Sequence, residues 1–184
     1  VSGLSRSKIS LAHSMTTMGN AVNEREQKIL FQARHDETTG LPNRRYLSEI
    51  AEQTLTDTRR DSCIMLIQLD NFQRLNEVYG VDWCDHLMQL IARKLSHTLQ
   101  DEEMAARVGG GQFLLFCPSL ADDKQNDEAI SLRPAISQRQ YSTTQVARRI
   151  TTALCAPCVC DGIEVDISVR LGISRSPDHG THLP

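Results

Sequence analysis

Three groups of residues in this chain have the types and spacing to do chemistry. Asn76 and Asp85 stand nine positions apart in a stretch with helical patterning. An Asn side chain offers both a donor and an acceptor, and a carboxylate accepts only. Taken alone, they read as a helix-terminal or surface Asn and as a solvated Asp near a helix N-terminus, where the dipole favours it. Gly109-Gly110-Gly111-Gln112 would let a backbone approach phosphates closely, and the same glycines also make a tight hairpin turn. Cys155-Ala-Pro-Cys158-Val-Cys160 has metal-ligand residue types, but no second Cys or His pair follows at a fitting spacing. A redox Cys-x-x-Cys should open a helix after a strand, and this one does not. The reading left for the six cysteines is buried, reduced thiols in a cytosolic domain.

The elements that must position these residues follow from periodicity. Residues 5–34 read as one helix, with Leu11, Met15, Met18, Val22 and Ile29 on a heptad seam and Arg25 at one core position. Such a seam suits a parallel dimer better than packing on its own domain. Gly40 and Pro42 mark a loop, and Asn43 caps a helix to about Leu55. Cys63–Leu69 is an apolar strand. Asn71–Tyr79 is a helix, Gly80 interrupts, and Asp82–Leu99 is a longer amphipathic helix. Met104–Val108 and Phe113–Cys117 form a hairpin across the glycines. Residues 119–142 read as a polar surface insertion. A helix starts at Ser142 or Thr143 and runs to Leu154, and 159–165 is a second hairpin with an Asp161-Gly162 turn. A strand continues from Val165 to Ile173, and Pro177–Pro184 is loop. Mixed helices and hairpins predict an α+β fold with helices packed on a sheet.

Composition bounds the rest. A chain of 184 residues suits one domain plus an extra element. Twenty basic against 23 acidic residues give a net charge of −3, with no block of like charge, which argues against nucleic-acid binding by bulk charge. The longest unbroken apolar runs, Cys63–Ile67 and Phe113–Cys117, are far short of the roughly 20 residues a bilayer span needs. The start at Val1 and the stop at Pro184 suggest a piece of a longer protein.

Four segments then come in a familiar order: His35-Asp36-x-x-Thr39-Gly40-Leu41-Pro42-Asn43-Arg44, Leu69-Asp70-x-Phe72-x-x-Leu75-Asn76, Gly80 through Asp85, and Arg107-Val108-Gly109-Gly110-Gly111-Gln112-Phe113. Together they resemble a GGDEF domain, the diguanylate cyclase family, over about 35–184. The resemblance implies a five-stranded sheet wrapped by helices, similar to the palm of polymerases and nucleotide cyclases, and a link to cyclic di-GMP. It also implies that the chain stops before the family's last helix. The helix at 1–34 is similar to the end of a HAMP module running into a signalling helix. Missing upstream transmembrane helices would then place this soluble piece on the cytoplasmic side of a bacterial inner membrane.

A diguanylate cyclase joins two GTP molecules, each 3′-hydroxyl attacking the other's α-phosphate with metal assistance. By resemblance, one metal carboxylate is the first acid of a strand-end Asp-x-Asp and the other the third position of the hairpin motif. Here these are Gln68 and Gly111, and Gln112 stands where the family has a further acid. Asp70 survives, roughly 6–7 Å further along an extended chain, too far to replace Gln68. An amide can ligate Mg²⁺ but brings no charge. The domain therefore reads as catalytically inactive, with no metal and no catalytic residues, and Mg²⁺ is not expected to bind tightly. Asn76 and Asp85 match the family's guanine-reading residues; nucleotide contact and structural relic both remain open for them, and Gly109 and Gly110 still permit a phosphate. Cys84, Val81 and Gln73 replace the family's usual Gly, His and Lys. The inhibitory product site, Arg-x-x-Asp, is Gln100-Asp-Glu-Glu103, whose lost Arg and acidic run argue against product binding there.

The expected function is a regulatory and dimerisation module in cyclic di-GMP signalling. Its partners would be a second copy, through the N-terminal helix, and a downstream EAL or other effector domain. A GTP-binding allosteric sensor and a protein or RNA-decay adaptor are the alternatives.

Overall fold

The computed structural model describes residues 25–55, 61–118, 120 and 142–176. Residues 25–34 are helical (α1). Ile29, Leu30 and Phe31 on it are half or more exposed. The other seam positions, Leu11, Met15, Met18 and Val22, lie outside the described residues, as do most of the 119–142 insertion and the expected loop from Pro177.

From Asp36 the chain forms a second unit. Its elements are α2 (Arg44–Leu55), β1 (Ser62–Leu69), α3 (Phe72–Tyr79), α4 (Val81–Thr98), β2 (Met104–Gly109), β3 (Gln112–Cys117), α5 (Thr143–Leu154), β4 (Cys158–Cys160), β5 (Ile163–Val165) and β6 (Val169–Ser176). The expected caps are in place. Asn43 Oδ1 accepts from the Tyr46 N–H at 2.9 Å. Ser142 and Gln145 exchange side-chain to backbone bonds in a capping box.

The α+β class is as expected, with two differences in the strands. The central sheet has four strands among the described residues, in the order β2-β3-β1-β6, where the resemblance implied five. β4 and β5 form a separate two-stranded ribbon. The expected strand from Val165 to Ile173 is also broken. β5 ends at Val165, and β6 starts at Val169 and pairs antiparallel with β1 along its length. An apolar alternation runs across the break, so periodicity cannot show that the two halves serve different sheets.

The core lies between one sheet face and α4 and α5. Met65, Ile67, Phe113 and Leu115 meet Leu87, Met88, Ile91 and Leu95 of α4 and Val146, Ile150 and Leu154 of α5. A smaller cluster on the other face joins Leu47 and Ala51 of α2 to Ala106 and Phe116. Central β1 has apolar side chains on both faces for this reason, and the strand ends at Leu69–Asp70, where the polar site begins.

Candidate functional site

β1 lies between β3 and β6, so Gln68 has Gln112 directly opposite on one side and Arg170 on the other. Residues opposed across a sheet share a face. The result is a row of two amides and a guanidinium at the end of the sheet. The Gln112 amide Nε2 donates to Gln68 Oε1 at 2.7 Å, and Gln68 Nε2 donates to its neighbour's carbonyl, Leu69 O, at 2.9 Å. The amides thus bond to each other and to backbone.

Asp70 follows the strand end and is also engaged. Its carboxylate accepts from Arg170 Nε at 2.5 Å and from Ser168 Oγ at 3.2 Å. Its backbone N–H donates to Ser168 O at 2.9 Å, which ties the end of β1 to the entry of β6. Beside this row, the Gly109–Gly111 turn lines a cleft of about 490 Å³ together with Gln68, Gln112, Phe72 and Arg170.

The three glycines are not equivalent. Gly109 and Gly110 have positive φ, and a Cβ at either would meet nothing within 4 Å. Gly111 is crowded instead: a Cβ there would stand 2.7 Å from Phe72 Cβ and 2.8 Å from Phe72 Cγ. Under the turn, the Arg107 side chain is buried and donates from Nη2 to Gly110 O at 2.6 Å. Its Nε and Nη1 have no hydrogen-bond partner. Burial pushes this guanidinium below its usual value, and the charges of Asp36 and Asp85 work against that.

Asn76 and Asp85 are not among the residues that line this cleft. Asn76 sits half-buried in the last turn of α3, where its carbonyl accepts from the Gly80 N–H at 3.0 Å. Asp85 is half-buried on α4, close enough for its charge to act on Cys84, His86 and Arg107. Cys84, next to it, is buried in the core, and that burial raises its thiol.

At the position expected to repel a product anion, Glu103 turns inward onto Arg149 of α5, which donates to both of its oxygens. Glu103 also accepts from the Gln100 N–H at 2.8 Å. One acid of the run is thus consumed within the protein. Arg149 and Arg170 are the two residues that the sequence reading missed. Each pairs with an acid 46 or 100 positions away, a relation no local pattern carries.

None of the six cysteines is in a disulfide; five are buried and only Cys155 is exposed. Cys63 and Cys117 are cross-strand neighbours, and their mutual bond and burial raise Cys117. Among the described residues, no group of three or more His, Cys, Asp or Glu is placed to hold a metal ion.

A divalent cation of the kind the chemistry needs asks for one or two carboxylates. The candidate positions here supply two amides already bonded to each other and a glycine without room for a side chain, while Asp70 already holds a cation in Arg170. These residues do not fit the ion.

A family model described as the diguanylate cyclase GGDEF domain matches residues 33–184, and the chain belongs to this GGDEF family. Among curated proteins it is 27% identical over 157 residues to the cyclic di-GMP phosphodiesterase PdeR of Escherichia coli K12, covering 85% of this chain and 21% of that protein. It is 27% identical over 164 residues to the cyclic di-GMP phosphodiesterase NbdA of Pseudomonas aeruginosa, covering 88% of this chain and 19% of that one. The chain thus spans about a fifth of the length of these relatives. Among solved structures, the GGDEF domain of TpbB (YfiN) from P. aeruginosa superposes with a TM-score of 0.64 at 27% identity, covering 80% of this chain and 78% of that one. Among the described residues, no helix is long and apolar enough to cross a membrane.

Proposed function

We propose that this chain is a catalytically inactive GGDEF domain, acting as a regulatory and dimerisation module in cyclic di-GMP signalling. One observation carries the reading. The positions where the family resemblance calls for acids hold an amide pair, Gln68 with Gln112, and a glycine pressed against Phe72. Metal assistance supplies several kcal/mol of transition-state stabilisation, and each ~1.4 kcal/mol is tenfold in rate. Without it the reaction would be slowed by orders of magnitude. Two relatives bearing the name cyclic di-GMP phosphodiesterase, several times longer than this chain, support a place beside a downstream EAL domain in a larger protein. The exposed apolar residues of α1 support a homodimer through the N-terminal helix, fed by a HAMP-type segment in a receptor of the inner membrane.

The test is cyclic di-GMP synthesis by the full-length protein, measured by mass spectrometry with GTP and Mg²⁺. No product is expected. Product above that of an Asp85→Ala variant overturns the reading.

A second reading, a GTP-binding domain that tunes an attached domain, draws on the open space over Gly109 and Gly110 and on the retained Asn76 and Asp85. Calorimetric GTP titration decides it: affinity that falls in Asn76→Ala or Asp85→Ala supports it, and no binding at millimolar GTP rejects it.

A further inference from the structure

We infer that the cleft beside the Gly109–Gly111 turn is an anion site that works without a divalent cation, with Arg170 as its charge and Asp70 as an internal competitor for that charge. The inference rests on the second reading above, in which the domain binds a nucleotide, and specifies how its phosphate chain would be held.

Of all the side chains that line the cleft, Arg170 alone is charged; its neighbours are amides, apolar groups and glycines. No acid lines it, and the nearest carboxylate, Asp70, is paired with Arg170. Gln68 and Gln112 spend one amide oxygen and one N–H on each other, which leaves Gln112 with a further N–H to donate. Gly109 and Gly110 leave the turn without side-chain cover, so an anion can approach its backbone.

Arg170 reaches across the row from β6, at the position opposite Gln68, and its side chain is 76% exposed. A guanidinium is a planar fork suited to phosphate oxygens. At present it faces Asp70, which holds its Nε at 2.5 Å. Asp70 is therefore a carboxylate bound where a phosphate oxygen would bind. The pair is open to solvent on its Arg170 side, where screening weakens it, so an incoming anion competes for the guanidinium there.

A Mg²⁺-chelated phosphate chain carries two fewer negative charges than the free chain. A lining with one cation and no acid, once Arg170 has left Asp70, prefers the free form.

The experiment is calorimetric titration of the full chain with inorganic triphosphate and, separately, GTP, each in EDTA and in excess Mg²⁺. Triphosphate is expected to bind in EDTA and to weaken about tenfold or more when Mg²⁺ is added. Arg170→Gln should abolish binding, with its urea midpoint as the folding control, since Arg170 is exposed. Asp70→Asn should tighten binding by up to about fivefold, the scale of one exposed ion pair. Binding that requires Mg²⁺, or that survives Arg170→Gln, overturns the inference. GTP binding that depends on Asp85 but not on Arg170 overturns it and leaves the second reading standing. Triphosphate binding through Arg170 with no added affinity for GTP supports the inference and rejects the nucleotide reading. No binding of either ligand rejects both.

Discussion

Replacing Gly111 with Ala adds one methyl group where the structure leaves no room. The new Cβ would stand 2.7 Å from Phe72 Cβ, 2.8 Å from Phe72 Cγ and 3.2 Å from Leu69 Cβ. Two effects oppose each other. Removing a glycine from the unfolded ensemble stabilises by about 0.4–1 kcal/mol where the native backbone accepts Ala. Overpacking costs about 1–3 kcal/mol. The close contact is with Cβ of Phe72, which every residue but glycine carries, so shortening Phe72 removes only part of it. The clash should win, with a net loss of about 1–2 kcal/mol. For a chain of this size that lowers Tm by about 2–4 °C per kcal/mol. The control is Gly172→Ala on β6, whose Cβ would meet only Leu66 Cβ at 3.9 Å. It should leave stability unchanged or raise it by up to about 1 kcal/mol. Urea unfolding of both variants beside the parent measures the difference. A Gly111→Ala protein as stable as Gly172→Ala would refute the reasoning, and with it the claim that position 111 cannot take a metal-ligating side chain without rearrangement.

Three further outcomes are expected. Glu103→Ala leaves Arg149 without its carboxylate in a largely buried position, and breaking such a pair should cost about 3 kcal/mol, read as a lowered urea midpoint; an unchanged midpoint would show that the pair is idle. His86 is raised above 6.5, first by its 2.8 Å bond to Asp161 and then by that carboxylate's charge. A raised histidine stabilises the fold fully below its unfolded value and loses that contribution as pH rises through the folded value. A proton NMR titration should therefore place His86 above 6.5 and find it lower in Asp161→Asn; equal values in the two proteins would discard the pair. One thiol, Cys155, should react quickly with a disulfide reagent in the folded protein and all six after denaturation, because the other five are buried; rapid labelling of more than one would contradict the packing.

Local signals placed most elements within a residue or two. The Asn43 and Ser142 caps, the Gly80 interruption, the glycine turn and the Asp161-Gly162 turn are short-range features, set by backbone conformation and by donors three residues away. The strand from Val165 to Ile173 was misread because alternation reports exposure and not pairing partner. The cysteine run was legible only in part: Cys158 and Cys160 are buried as expected, but Cys155, just past the end of α5, is exposed.

At the site, the sequence alone determined which groups are present: Gln68, Gly111 and Gln112, all uncharged, with Asp70, Asn76 and Asp85 nearby in the chain. Residue type is a property of the chain, and so is the charge a residue carries. What the side chains do with one another was decided by the tertiary structure. Antiparallel pairing of β1 with both β3 and β6 set Gln68 between Gln112 and Arg170. That register turned two amides into a bonded pair and gave Asp70 a cation from 100 positions away. The packing of α3 put Phe72 against Gly111, and that of α5 put Arg149 against Glu103. Such contacts depend on how distant segments meet in space, which local propensity does not encode.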